Sequence, residues 1–229
     1  MGNNSKIKGP LFIGRSWQEY MKMFNLTTSI LKKGKILDCA SGASSFAAKM
    51  NQQGYDVTAL DVLYDKKPEY LEDKCINHLN ILVEALNDME NHFLWGYFKD
   101  LDDLKRQRTL VCHEFAEDYK QNQKKSYIKA DLINMPFNDD FFSLILCSHF
   151  LFIYDHRLSY EFHKKSIFEM LRVAREIRIY PLVKSRSMKS EYVSRIMDEL
   201  GDTADFELVN VDYEFRKGGN EMMKLIKKN

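Results

Sequence analysis

The chain of 229 residues lacks an excess of either charge: 34 Lys and Arg stand against 33 Asp and Glu, a formal net charge of +1. With no global basic field to hold a nucleic-acid backbone, a dedicated nucleic-acid binder is disfavoured. Long apolar runs are also missing. The longest, 150–154, falls far short of the ~20 residues a bilayer crossing needs, and the polar start Met1-Gly2-Asn3-Asn4-Ser5 has no signal-peptide core. Nor does that start fit myristoylation, since the hydroxyl is at Ser5 and the position that should carry it is Lys6. The four cysteines, 39, 75, 112 and 147, include no C-x-x-C pair, so neither a zinc knuckle nor a redox dithiol is signalled. Reduced, mostly buried thiols and a cytoplasmic location are therefore expected. Internal repeats and low-complexity tracts are absent. What remains is 45% apolar content with 15 Phe, enough for a substantial core in one domain spanning 1–229.

Short apolar runs alternate with amphipathic stretches, the pattern of a parallel sheet with crossover helices. Strands are expected at 35–40, 56–61, 127–130, 142–148 and 176–182, with a final antiparallel pair, 206–215 and 221–227, joined through Gly218-Gly219-Asn220. A helix over 46–53 stops at Gly54; Phe162, Ile167, Met170, Leu171 and Ala174 mark another, and Tyr192, Val193, Ile196, Met197 and Leu200 a third, ended by Gly201. The fold class is thus α/β: a seven-stranded, mostly parallel, Rossmann-like sheet with a C-terminal antiparallel hairpin.

Between the second and third strands lie over sixty residues, more than one crossover helix needs. Leu71, Cys75, Leu79, Leu82, Leu86, Met89 and Phe93 step by four or three, which predicts a long helix with one buried stripe. A second helix carries Leu104, Val111, Phe115 and Tyr119 inward. This insertion, 64–125, is read as a helical hairpin serving as a lid, a homodimer contact, or both. The cluster Lys105-Arg106-Gln107-Arg108 reads as its solvated face.

In open α/β sheets, ligands sit outside the carboxyl ends of the strands. Asp38-Cys39-Ala40-Ser41-Gly42-Ala43-Ser44-Ser45 lies at such a place, with small residues that admit a ligand and N–H groups at a helix start that favour an anion. Its single glycine does not fit the dinucleotide spacing G-x-G-x-x-G. Asp61, 23 residues after Asp38, can accept from both hydroxyls of a ribose or cap a turn. Asp131 has the same placement after the third strand and the same two readings, with an exocyclic amine as ligand.

Ile36-Leu37-Asp38-x-Ala40-x-Gly42, Asp61, and Asp131-Leu132-x-x-Met135-Pro136-Phe137-x-Asp139-x-Phe141-Phe142-Ser143-Leu144-Ile145 resemble the class I, Rossmann-like S-adenosylmethionine-dependent methyltransferases, over roughly 35–227. The resemblance implies S-adenosyl-L-methionine as cofactor and S-adenosyl-L-homocysteine as product. It also implies that the loop of Asp38, Ala40, Ser41 and Gly42 holds the methionine part, Asp61 with Val62 the ribose, and Asp131 with the Leu132 backbone the adenine. Ser148 at the fourth strand's end joins this set. So do Arg15 and Tyr20, from an N-terminal helical segment over 10–30 that folds across the cofactor in such enzymes; Arg15 can pair with the cofactor carboxylate. The family loop is usually D-x-G-x-G-x-G, and here Ala40 and Ser44 replace two glycines, which bears on cofactor affinity. The [DNS]-P-P-[YFW] signature of base-amine methylation is absent; Cys147-Ser148-His149-Phe150-Leu151-Phe152-Ile153-Tyr154 stands in its place. The stretches 169–179 and 12–24 resemble a bacterial subgroup of unassigned substrate.

Transfer from a sulfonium needs alignment more than acid–base chemistry. Where a base is required, His149 is the best-placed residue; alternatively it hydrogen-bonds a loop carbonyl and orders the floor. Tyr154, with Phe150 and Phe152, lines an acceptor pocket or simply packs in the core. His149, His156 and His163 recur every seven residues, about 10 Å along a helix, too far to share a metal ion. The leading function is methylation of a small-molecule or peptide-like acceptor. A catalytically silent cofactor-binding or scaffolding protein is the alternative, and a nicotinamide-dependent oxidoreductase the third choice.

Overall fold

The computed structural model describes residues 9–87, 92–184 and 188–228. Two short helices, α1 (Trp17–Met23) and α2 (Thr28–Leu31), precede β1 (Ile36–Cys39), α3 (Phe46–Gln52) and β2 (Val57–Leu60). Two long helices follow, α4 (Pro68–Asn87) and α5 (Leu101–Ser126), then β3 (Tyr127–Ile128), β4 (Phe142–Ser148), α6 (Tyr160–Val173), β5 (Ala174–Tyr180), α7 (Tyr192–Leu200), β6 (Ala204–Asn210) and β7 (Glu221–Lys227). The sheet order is β3-β2-β1-β4-β5-β7-β6. The first five strands run parallel, while β7 runs antiparallel to both β5 and β6.

The apolar strands read as continuous runs because both faces are covered. On β1 and β4, Ile36, Leu144 and Leu146 pack on one side with Tyr20, Phe46 and Phe115, whereas Leu37, Cys39, Ile145 and Cys147 pack on the other with Ile167, Met170 and Ile196 of α6 and α7. Cys39 and Cys147 are register partners and are free and buried, as the strand reading requires. Burial pushes the Cys147 thiol up to about 12 and so makes it inert.

Several expectations change. Cys75 and Cys112 form a disulfide across α4 and α5, so the reduced state expected for all four cysteines does not hold. The inner stripes of the two helices meet there, a pairing that separation along the chain conceals. β3 has two residues rather than four, and β5 begins where α6 ends, at Ala174. β6 and β7 pair as a hairpin, but their link spans 211–220 instead of turning at Gly218-Gly219-Asn220 alone. Met89, assigned to the α4 stripe, lies outside the described residues, and Phe93 lies beyond the helix. Among the described residues, no helix is long and apolar enough to cross a membrane.

α5 starts on an Asp100 cap, whose side chain accepts from the Asp103 amide at 2.7 Å, and ends on Lys124 and Lys125, which suit its negative pole. Its C-terminal half packs on the sheet, with Phe115 and Tyr119 against Tyr64 and Tyr127 at ring centroids of 5.1–5.9 Å. It is therefore the crossover helix into β3, and α4 is the added element.

Candidate active site

The turn after β1 is held from below. Asp38, fully buried, accepts from the Tyr20 hydroxyl at 2.9 Å and the Ser41 hydroxyl at 2.7 Å. Burial raises its carboxyl to about 7, against the opposing pull of the Ser41 and Tyr20 hydrogen bonds. Gly42 takes φ +59°, which glycine adopts freely; Ala40 takes φ +52°, where its methyl costs about 1–2 kcal/mol. The N-terminal strap lies against this turn. A Cβ at Gly14 would sit 1.8 Å from the Ala43 carbonyl oxygen, so only glycine permits the approach. The N–H groups at the start of α3 are largely consumed internally: Ser44 donates to the Ser41 carbonyl, Ser45 to the Arg15 carbonyl and Phe46 to Ser44 Oγ, at 3.1–3.2 Å. These three amides are thus not available to an anion, contrary to the sequence expectation.

Above the carboxyl ends of β1, β2 and β4 lies a cavity of about 630 Å³, within the size range of small-molecule sites. Asp61 lines it while accepting from the Gly42 amide at 3.1 Å and the Leu63 amide at 2.9 Å. The turn-cap reading of Asp61 therefore holds, and its place in the cavity lining leaves the carboxylate within reach of a ligand. A carboxylate has about four acceptor positions, so room for two hydroxyl donors remains. Burial raises its pKa, and the two amides oppose the rise.

The lining is also cationic. Arg15, half-buried, is part of it, and among the described residues no carboxylate lies within ion-pair distance of its guanidinium. Arg108, 3% exposed, pairs twice with buried Glu19, one contact being Nη2 to Oε1 at 2.6 Å; the Tyr213 hydroxyl donates to the same Oε1 at 2.5 Å. Burial pushes the Glu19 carboxyl up, yet Arg108 pulls it below its ordinary value through charge and hydrogen bond. Lys74 from α4 and Arg216 from the β6–β7 link are the other cations of the lining. Arg216 also lies over the Phe93 ring, 4.8 Å from its centroid. His149 sits just past β4 at φ +51°, with Nδ1 2.9 Å from Ser148 Oγ and its amide donating to the Tyr180 carbonyl. Burial, then Arg15, Arg108 and Arg216, hold the imidazole well below its ordinary pKa, hence uncharged near neutrality. The Tyr154 hydroxyl accepts from the Leu11 amide at 2.9 Å, and His78 Nδ1 accepts from the Phe12 amide at 2.8 Å; both tie the strap across the cavity.

Of the residues singled out in the sequence, Arg15, Tyr20, Ala40, Ser41, Gly42, Asp61, Val62, Ser148, His149 and Tyr154 line this one cavity. Asp38 lies beneath it. Asp131 and Leu132 do not line it. Because β3 ends at Ile128, Asp131 falls in the following turn, exposed, accepting from the Ile133 amide at 3.3 Å, and Leu132 is buried in the core. His156 is exposed and His163 is buried on α6, so the three spaced histidines do not converge. Arg108 is not part of a solvated face. The stripe could have located it, since 104, 108, 111 and 115 step by four, three and four; His78 likewise sits one turn beyond Cys75. Glu19, Lys74 and Arg216 carried no such signal.

The uncharacterized protein MJ0045 of Methanocaldococcus jannaschii is 41% identical over 218 residues, covering 95% of this chain and 96% of that one. It is archaeal, and lends no support to the bacterial subgroup expected from 169–179 and 12–24. No family model matches the chain. Solved structures similar in outline include a putative S-adenosyl-L-methionine-dependent methyltransferase from Methanococcus maripaludis, with 14% identity, coverage of 93% of this chain and 83% of that one, and a TM-score of 0.44. A TehB-like SAM-dependent methyltransferase from Corynebacterium glutamicum gives 15%, 85%, 80% and 0.46. The magnesium protoporphyrin IX methyltransferase of Synechocystis, with bound SAM, gives 10%, 84%, 69% and 0.43. These likenesses are loose, and the fold assignment stands on the strand order itself.

Proposed function

We propose that this chain, which belongs to the same family as the uncharacterized protein MJ0045, is an S-adenosyl-L-methionine-dependent methyltransferase acting on a small-molecule or peptide-like acceptor beneath α4 and α5. One observation carries the reading: the Ala40-Ser41-Gly42 turn and the Asp61 carboxylate face one cavity at the carboxyl edge of a sheet ordered 3-2-1-4-5-7-6. The antiparallel β7 separates this order from the 3-2-1-4-5-6 arrangement of dinucleotide-binding sheets. When bound, the cofactor supplies an already activated methyl group, whose transfer is an in-line displacement.

The chain's own residues bind, orient and exclude water. Asp61 has acceptor capacity left for both ribose hydroxyls. Arg15, beside a helix start whose amides are mostly spent, takes the cofactor's carboxylate. The strap, pinned by Tyr154 and His78, closes over the site and keeps the reacting groups in place. His149, held uncharged, accepts a proton from acceptors that must lose one; its lowered pKa suits it to those whose proton is already acidic.

Calorimetric titration with S-adenosylmethionine and S-adenosylhomocysteine tests the cofactor. Saturable binding is expected, and Asp61→Ala should weaken it by about 3 kcal/mol, roughly a hundredfold, as two charge-assisted hydrogen bonds are lost. No binding at millimolar ligand sinks the reading, and unchanged affinity in the variant removes the role of Asp61. Product formation in an acceptor screen separates an enzyme from a silent binder.

A further inference from the structure

The cavity lining divides by origin. The ends of β1, β2 and β4 bring the turn 40–42, Asp61 and Ser148, whereas α4, α5, the segment joining them and the β6–β7 link bring Leu82, Phe93, Leu104 and Phe215. Phe93 and Leu104 belong to a hydrophobic cluster distinct from the two on the sheet, and Leu82 and Phe215 pack against it. Phe215 lies 4.8 Å from Phe93 and 5.2 Å from Phe98, centroid to centroid. The backbone holds this aromatic pair in place: the Leu94 amide donates to the Phe215 carbonyl at 2.7 Å, and Phe93 and Arg216 pair as an isolated antiparallel bridge. The polar side chains of the lining, by contrast, are mostly committed within the chain. Tyr20 and Ser41 bond Asp38, and His78 and Tyr154 bond the strap. Arg108 bonds Glu19, and Ser148 bonds His149. Lys74 lies over the Tyr70 ring, 5.9 Å from its centroid, and Arg216 over that of Phe93. With Asp61 and Arg15 assigned to the cofactor, what the cavity chiefly offers a second ligand is the apolar set and the ring nitrogen of His149 that Ser148 leaves free.

Resting on the methyltransferase reading above, we infer that the methyl acceptor is a small apolar, ring-bearing molecule whose ring packs on Leu82, Phe93, Leu104 and Phe215. Seating such a ring removes apolar surface from water on both sides of the contact, and rings meet Phe side chains favourably in offset or edge-to-face arrangements. A peptide or a sugar carries amides or hydroxyls that would lose water here without finding partners, which selects against both. One polar group is accommodated, at the free nitrogen of His149, so the acceptor has a single nucleophilic oxygen or nitrogen on an otherwise apolar body. As that atom bonds the methyl carbon, the carbon–sulfur bond breaks with its electron pair left on sulfur, and the atom's proton passes to His149.

The test is calorimetric titration of the chain, saturated with S-adenosylhomocysteine, with four probes: indole and p-cresol as apolar rings, glycylglycine as a peptide and glucose as a sugar. One indole or p-cresol should bind per chain, and the other two should not bind at the same concentrations. Leu82→Gln, at a half-buried position on α4, and Phe93→Leu should each weaken ring binding about fivefold or more while altering S-adenosylhomocysteine affinity by less than about threefold, which also shows that each variant is folded. Leu82→Met, which keeps an apolar side chain of similar size, should bind the rings within about twofold of the parent. The inference is overturned if neither ring binds the cofactor-loaded chain, if glycylglycine or glucose binds as tightly as the rings, if both Leu82→Gln and Phe93→Leu bind the rings as the parent does, or if a ring displaces S-adenosylhomocysteine. That last result would place the ring in the cofactor's own part of the cavity and leave the cofactor reading intact. Failure of S-adenosylhomocysteine itself to bind would overturn the methyltransferase reading and the acceptor with it.

Discussion

Asp38→Asn should make the protein more stable at pH 8 and less sensitive to pH between 4 and 7. The carboxyl is fully buried beneath the cavity, and burial raises it from 3.8 to about 7. Between those values the folded chain keeps a proton that the unfolded chain has released, so stability falls as pH rises through this window. Below the window both states are protonated; above it both are ionised. A shift of about 3 pH units corresponds to about 4 kcal/mol lost by pH 8. His78, lowered to about 4 by burial and then Lys74, and His149, lowered chiefly by burial, act in the opposite sense: their contribution is present above about 6.5 and is lost as pH falls. The parent's own pH profile mixes these terms, and the informative quantity is the difference between variant and parent. An amide at 38 keeps the size and can still hydrogen-bond the Tyr20 and Ser41 hydroxyls, which rotate to suit it. Urea denaturation at pH 5, 6, 7 and 8 should show the variant gaining on the parent at each step, by about 2.5 kcal/mol in all, the rest of the loss having occurred below pH 5. A difference independent of pH, or a variant weaker than the parent at pH 8, refutes a protonated Asp38 at neutral pH.

Glu19→Gln leaves Arg108 buried without its counter-charge and should cost about 3–5 kcal/mol in chemical denaturation. The double variant Glu19→Gln/Arg108→Met should recover most of that, and failure to recover would mean that Glu19 acts mainly through Tyr213. The disulfide closes a separation of 37 residues, so Cys75→Ser/Cys112→Ser should lower stability by about 4 kcal/mol by loop entropy. Intact-mass measurement after alkylation without reductant should find Cys75 and Cys112 blocked by each other; two labelled thiols at these positions would contradict the bridge. Ala40→Gly relieves a positive φ and should add about 1 kcal/mol to the melting free energy, whereas destabilisation would show that the methyl packs usefully.

The strands that position the site were legible because burial on both faces leaves an unbroken apolar run, as in Leu144 to Cys147, and no surface pattern competes with it. Asp61 was legible for a related reason: the end of a buried strand is a fixed point, and few polar residues can stand there. Asp131 lies off the cavity lining because β3 stops three residues before it, and strand length is set by pairing with β2 rather than by local composition. The link 211–220 misled for the same reason. Val211, Tyr213 and Phe215 alternate like a strand, but Tyr213 turns to Glu19 and Phe215 packs on Phe93, Trp95 and Phe98. Arg108 and His78 stood in apolar stripes where a charge or imidazole looks like an interruption. Their partners, Glu19 and the Phe12 amide, are 89 and 66 residues away in sequence, so only tertiary structure discloses that each interruption is an anchor.

These anchors bear on whether α4 and α5 form a detachable lid. α5 serves two layers at once: Leu104 and Arg108 roof the cavity, while Phe115 and Tyr119 pack on β2 and β3 through Tyr64 and Tyr127. α4 is fastened to it by the Cys75–Cys112 bridge and to the strap through His78. A roof bonded to the sheet, to a neighbouring helix and to the strap resists hinging as a rigid flap, because swinging it out would expose Glu19 and Arg108 unpaired and break the aromatic stack together. Removing 71–119 would therefore take away a layer of the core along with the roof, and acceptor turnover and cofactor binding would fall together. The strap over 9–16 is fastened as well, by hydrogen bonds from Leu11 to Tyr154, Phe12 to His78, Arg157 to the Gly9 carbonyl and Ser45 to the Arg15 carbonyl, and by burial of Phe12 against Phe115. Roof and strap are thus tied to the sheet and to each other, so opening either one costs buried contacts of both.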